Sequence, residues 1–237
     1  MTPVPEIAEA PTYESLASRL DVPLLDPFWS ADQVYEACVQ ARKFQVRSVI
    51  TRPCDCELAV QWLANSGVLV AAATGYPGGS STTGTKLFET RDLLRLGTKE
   101  IEFSVPVARL LSRQFQHVET ELLQAVKACH ESGATLTAVY HSAHLTDDLK
   151  IILTKICRRV EADVVAVDGG AAEIALITPM LKDVLRLKLA SPVSNLTEAL
   201  AAVHMGYTSC SVSDPATVLL AWRDKLAEDQ QANKLNS

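Results

Sequence analysis

The chain has no apolar run of the roughly 18 residues that a membrane-spanning helix requires, so no membrane association is expected. It has no basic stripe either: 28 acidic residues outnumber 22 lysines and arginines, for a formal charge of -6. Nucleic acid, whose recognition needs a clustered positive face, is not an expected partner. Cysteines at metal or redox spacing are missing. The six are scattered, Cys54 and Cys56 are the one close pair, and no C-x-x-C occurs. That spacing argues against a zinc or redox motif. Reduced cysteines are expected instead, buried as small hydrophobes or carried on loops. No G-x-G-x-x-G turn follows the first apolar segment, which weighs against a dinucleotide-binding fold. Met1 to Glu14 is rich in proline and glutamate and lacks the basic-then-apolar order of a secretory signal. Cytoplasmic residence is the default expectation.

What the chain does have is length and alternation. Its 237 residues, 48% of them hydrophobic, can bury a core without disulfide staples. Eight short β-rich runs stand out: Leu20–Leu25, Val46–Thr51, Val68–Thr74, Glu100–Val105, Thr135–His141, Val164–Asp168, Leu185–Ala190 and Ser209–Val212. Val164 to Val167 is continuous and apolar, as a parallel strand covered on both faces should be. Amphipathic stretches separate the runs. Ser30 to Gln33 reads as a capping box opening a helix with Val34, Cys38, Ala41 and Phe44 on one face. Asn195 to Glu198 and Asp214-Pro215 give further helix starts. Strand–helix alternation repeated eight times predicts a single (β/α)8 TIM barrel; an open doubly wound sheet is the alternative. The expected boundaries are an N-terminal extension at 1–18, the barrel at 19–227, and a polar tail at 228–237 that frays.

The loop after the third run, Gly75-Tyr76-Pro77-Gly78-Gly79-Ser80-Ser81-Thr82-Thr83-Gly84-Thr85-Lys86-Leu87-Phe88-Glu89, fits the pattern G-F-P-x-G-x-x-T-T-x-x-K-x-x-E. With Arg52-Pro53-Cys54, Leu145-Thr146-Asp147, Lys188 and Glu198-Ala199-Leu200 in order, it makes the chain from about Leu20 to Leu220 resemble the deoxyribose-phosphate aldolase family. The resemblance implies an aldolase-type barrel and Schiff-base chemistry. A lysine amine on the sixth strand attacks an aldehyde, and a second lysine lowers the first one's pKa. A carboxylate and water relay protons, and glycine-rich loops hold phosphate.

By that resemblance Lys188 matches the second lysine, Glu102 an aspartate on strand four, and Asp21 an early aspartate on strand one. These three are the candidate catalytic residues. Glutamate in place of aspartate moves the carboxylate by about 1 Å, enough for about 100-fold in rate where geometry matters. Ala166 stands where the Schiff-base lysine is expected. Ser191-Pro192 replaces a Gly-Gly, Ser194 an arginine, and Ser211 to Asp214 a G-T-S-S loop. Asp214 would place a carboxylate where phosphate should sit, capping the last helix within about 3 Å.

Pocket candidates are His141, Asp168, Ser191, Ser213 and Asp214. Asp21, Glu102, His141, Asp168 and Lys188 come from five strands and can be read in two ways. One is a rebuilt active site; the other is a residual polar lining with Lys188 paired to Glu102 or Asp168. A lysine beside carboxylates has a raised pKa, which hinders nucleophilic attack. His141, Glu102 and Asp168, with His144 nearby, have ligand types that suit zinc, but no H-x-H or H-E-x-x-H spacing supports them. No metal and no cofactor are expected. Lys86 is read as a surface residue at a helix start, and Trp29, Trp62 and Trp222 as packing residues.

The leading function reading is a divergent, catalytically impaired aldolase homologue with a binding or regulatory role. The second is an active lyase on an unphosphorylated substrate, using Lys188 or a mechanism without lysine. The third is a working deoxyribose-phosphate aldolase that recruits another lysine. A small-molecule ligand and a homodimer are compatible with all three.

Overall fold

A computed structural model describes residues 11–181 and 184–235. Eight strands form the frame: β1 (Leu20–Leu24), β2 (Ser48–Thr51), β3 (Leu69–Thr74), β4 (Glu100–Ser104), β5 (Thr135–Val139), β6 (Val164–Val167), β7 (Arg186–Val193) and β8 (Ser209–Val212). Each pairs in parallel with the next, and β8 returns to β1 through Leu20 opposite Cys210, closing the barrel. Around them run α1 (Tyr13–Ala17), α2 (Ala31–Phe44), α3 (Cys56–Trp62), α4 (Thr83–Arg95) and α5 (Val107–Leu111). These are followed by α6 (Phe115–Glu131), α7 (Asp147–Arg159), α8 (Ala171–Leu181), α9 (Leu196–His204) and α10 (Pro215–Leu235). The (β/α)8 expectation holds, and the open sheet is set aside.

The period of two along each strand sorts side chains between two cores. On β3, Val70 and Ala72 join the large cluster between strands and helices, while Ala71 and Ala73 join Ile50 in a small separate cluster inside the barrel. The helices start where local chemistry says they should. Ser30 Oγ accepts from Gln33 N at 3.4 Å and Gln33 Oε1 accepts from Ser30 N at 2.8 Å, a reciprocal cap for α2. The five cysteines Cys38, Cys56, Cys129, Cys157 and Cys210 are buried, Cys54 is exposed, and all six are free. Trp222 is buried, and Trp29 and Trp62 pack partly covered against the outer core.

Three details add to the expected outline. β7 continues past Ala190 to Val193, with a register irregularity between Leu189 and Val193 that accommodates Pro192, which cannot donate to a ladder. Residues 1–10 of the expected extension lie outside the described residues; within the rest of it, Leu16 and Ala17 on α1 lie in the core, and Trp222 Nε1 on α10 donates to Pro11 O at 3.2 Å. α10 continues into the expected polar tail as far as Leu235. No helix among the described residues is long and apolar enough to cross a membrane.

Candidate active site

The inside of the barrel is charged from its lower end upward. Glu100 and Glu102 are two residues apart on β4 and so share its inner face. Asp21 enters from β1 and Lys188 from β7. Arg47, just before β2, reaches in from below: its Nε lies 2.5 Å from Asp21 Oδ1 and its Nη1 2.8 Å from Glu100 Oε2. Thr137 donates to Glu100 at 2.7 Å and Ser48 to Asp21 at 2.7 Å. Above this layer Lys188, 1% exposed, places its Nζ 2.5 Å from Glu102 Oε1 and 2.8 Å from Asp21 Oδ2. Of the two partners expected, Glu102 is found and Asp168 is not; Asp21 is the second. Asp168 belongs to a different cluster.

These contacts set the protonation states. Burial alone would favour a neutral Lys188 amine, but Asp21, Glu102 and Glu100 outweigh it and raise its pKa above the ordinary lysine value. Burial alone would push the Asp21 carboxyl up, but Lys188 and Arg47 hold it below the ordinary carboxylate range. For Glu102 burial wins. Lys188 opposes it only in part, Glu100 adds to it, and the pKa is raised. Three carboxylates thus face two cations in this interior, and Glu102 carries the shortfall. Ala166, wholly buried on β6, lies in register with Lys188 at that level.

Over this floor, at the C-terminal ends of the strands, opens a cavity of about 530 Å³ lined by Glu102, His141, Asp168 and Ser191 among others. Pro23, Ile50, Ala73 and Val139 give it apolar walls. Barrel enzymes work at this end. Asp168 is held firmly: Ser142 N donates to its Oδ1 at 2.8 Å, and the Ser142 hydroxyl donates to the same oxygen. His141 Nδ1 stands 3.4 Å from the other oxygen. Burial would raise the Asp168 pKa, but the Ser142 hydroxyl and amide and His141 reverse that and lower it. Ser142 was not legible in advance because it follows the strand end, where alternation no longer predicts direction. Glu100 could have been found from its i, i+2 relation to Glu102. Among the described residues no group of three or more His, Cys, Asp or Glu side chains is placed to hold a metal ion.

Ser213 and Asp214 do not line the cavity. Asp214 caps α10: its carboxylate accepts from Ala216 N at 2.9 Å and Thr217 N at 3.3 Å, and from the Thr217 hydroxyl at 2.6 Å. α9 is closed in the same way. Glu198 accepts from Ser194 N at 2.8 Å, and Asn195 accepts from Glu198 N at 3.0 Å. The helix N-termini after β7 and β8, where barrel phosphate sites are commonly built, thus spend donors on the chain's own side chains. Asp214→Ser should change unfolding free energy by no more than about 0.5 kcal/mol, because serine caps nearly as well. Urea denaturation checks this, and a loss above about 2 kcal/mol would mean that the carboxylate itself is needed.

The glycine-rich loop is structural in detail. Gly75 and Gly79 have φ of 66° and 64°, and a Cβ on Gly79 would fall 2.5 Å from the Ser104 and Val105 carbonyls. Glu89 accepts from Gly75 N at 2.9 Å. Lys86 is not the expected surface residue. It is wholly buried, its Nζ donates to Ser104 O at 3.0 Å, pairs with Glu121, and lies 4.4 Å from the Phe103 ring centre. Burial lowers its pKa against the opposing pull of Glu121. The signal that could have placed it is the loop pattern itself, since two glycines with left-handed backbone allow the close approach under which a lysine stem can lie.

No protein-family model matches the chain. In fold, it is similar to an aldolase designated QR15, with a TM-score of 0.84 at 18% identity over 90% of this chain and 97% of that one. It is likewise similar to the deoxyribose phosphate aldolase of Aeropyrum pernix, described as a unique tetramer, with a TM-score of 0.82 at 22% identity over 90% of this chain and 92% of that one. In sequence, the deoxyribose-phosphate aldolase of Bacteroides thetaiotaomicron is 30% identical over 220 residues, covering 90% of this chain and 92% of that protein. A barrel with this strand order, a charged floor built on Lys188, and identity sustained over nearly the whole length agree: the chain belongs to the deoxyribose-phosphate aldolase family.

Proposed function

We propose that this family member no longer performs iminium chemistry and keeps its barrel pocket for a small molecule without a phosphate group. The observation that carries the reading is the state of Lys188. Its amine is shared between Asp21 and Glu102, raised in pKa, and 1% exposed. A nucleophilic lysine needs the reverse, a neutral amine with access to the aldehyde. The position beside it, where the resemblance implies the Schiff-base lysine, is Ala166. Lys86, the other wholly buried lysine among the described residues, is spent on Glu121 and Ser104. Among the described residues no lysine or arginine lines the cavity. Arg52 sits near its rim, but its Nε is 2.5 Å from Asp55 and its Nη atoms donate to Asp26 O at 2.6 Å and Trp29 O at 3.1 Å.

Catalysis without an iminium on an unphosphorylated substrate is the second reading, and the His141–Asp168 pair in an open cavity favours it over simple binding. Reductive trapping tests the main reading. Protein incubated with acetaldehyde, glyceraldehyde or deoxyribose 5-phosphate and then borohydride should give no lysine adduct by peptide mass spectrometry. An adduct on Lys188 would overturn it.

A further inference from the structure

We infer that His141, oriented by Asp168, is a general base that removes a proton from the carbon next to a carbonyl in an uncharged hydroxy-carbonyl compound bound in the barrel cavity. The inference rests on the reading that the pocket works without an iminium and without phosphate.

Three observations meet there. The first is the base. Asp168 holds the Nδ1 side of the His141 ring at 3.4 Å, and Ser142 fixes Asp168 by two donated hydrogen bonds. Nε2 has no hydrogen-bond partner among the described residues, on a ring that lines the cavity and is 45% exposed. A carboxylate on one ring nitrogen selects the tautomer whose other nitrogen accepts a proton, and stabilises the imidazolium that results.

The second is a pair of hydroxyls. Ser104 and Ser211 are each 2% exposed, both line the cavity, and neither hydroxyl has a partner among the described residues. Hydroxyls that line a cavity and have no protein partner are free to donate to an oxygen-bearing ligand. Donors on a ligand oxygen opposite a base on the carbon side are what an enolising site requires.

The third is charge. Asp26, Glu102 and Asp168 line the cavity, Glu102 is already paired with Lys188 beneath it, and among the described residues no lysine or arginine lines the space itself. A phosphate dianion would meet carboxylates in a partly desolvated space, while an uncharged sugar or ketone would not.

The step balances within these groups. The ligand C–H bond breaks and its proton forms the N–H bond on Nε2. The electron pair becomes the carbon–carbon double bond of an enolate, whose oxygen accepts from the Ser104 and Ser211 hydroxyls. Return of a proton from solvent through His141 regenerates the carbonyl compound, so no oxidant or co-reactant is consumed.

The test is deuterium exchange in D2O, followed by proton NMR, with the full chain and dihydroxyacetone as the probe. Exchange at the carbon positions should exceed the protein-free rate, and dihydroxyacetone phosphate should exchange no faster than background. His141→Gln should lower the protein-dependent rate about 100-fold or more with an unchanged circular dichroism melt. Asp168→Asn should lower kcat for exchange more than it raises KM, a split that a merely structural role would not produce. Ser211→Ala, which only removes a hydroxyl, should lower the rate with the fold intact. Absence of exchange above background, an unaffected His141→Gln, or faster exchange of the phosphate ester would each overturn the proposal. The two proposals also fail separately. A trapped lysine adduct contradicts the loss of iminium chemistry, while no adduct together with no exchange contradicts only the role of His141.

Discussion

Lys188→Met is expected to lower the unfolding free energy by about 3–5 kcal/mol, the range for breaking a buried ion pair by removing one partner. The cost arises because Asp21 and Glu102 remain buried with their shared cation gone. Methionine fills most of the volume, so packing contributes little. The effect should depend on pH in a defined direction. Lys188 has a raised pKa in the folded state. Its contribution is therefore complete below the ordinary lysine value of about 10.4 and is lost as pH climbs above that toward the folded value. Asp21 and Glu100 have lowered pKa values. Their contribution is present above the ordinary carboxylate values of about 4 and is lost as pH falls toward the folded ones. The difference between wild type and Lys188→Met should thus be largest from about pH 5 to 10 and shrink at both ends. Denaturant melts across pH 3 to 12 measure it. A difference under about 1 kcal/mol at pH 7 would mean that the pair is solvated, as surface pairs are.

The fold was legible because its signals are local and repeated. Eight β-rich runs alternating with amphipathic stretches, with caps such as Ser30 and Asp214 at helix starts, leave few closed arrangements. The floor was legible only in part. Glu102 and Lys188 were found through the resemblance, and their pairing follows from burying a lysine at all. That Asp21 would be the second partner, with Asp168 turned away, depends on stagger between strands distant in sequence, which no local pattern encodes. Lys86 was misplaced for a related reason. Its helix position suggests solvent, and only the packing of the Gly75–Gly79 loop over it shows otherwise. Ser191 and Pro192 entered β7 because the bulge after Leu189 absorbs a proline that a regular ladder would reject.

Deoxyribose 5-phosphate should be turned over at least about 1000-fold more slowly than the roughly 10 per second of an ordinary enzyme. Removing a nucleophile alone has cost about a million-fold in other enzymes, and on the proposed reading the anion subsite is lost as well. Ala166→Lys should not restore the reaction. The new ammonium would enter an interior where three carboxylates face two cations, so it would find a charge partner and stay protonated. A second feature would still be missing, because Asp214, Glu198 and Asn195 occupy the donors of α10 and α9. Rescue should need both the lysine and a reopened phosphate subsite.

The most direct measurement is acetaldehyde release from deoxyribose 5-phosphate at millimolar concentration, in a coupled assay with wild-type protein. The account predicts a rate below about 0.01 per second, set against the typical value of about 10 per second. A rate within tenfold of that typical value would contradict it, and would mean that an amine in this barrel forms the iminium despite Ala166 and the clamped Lys188.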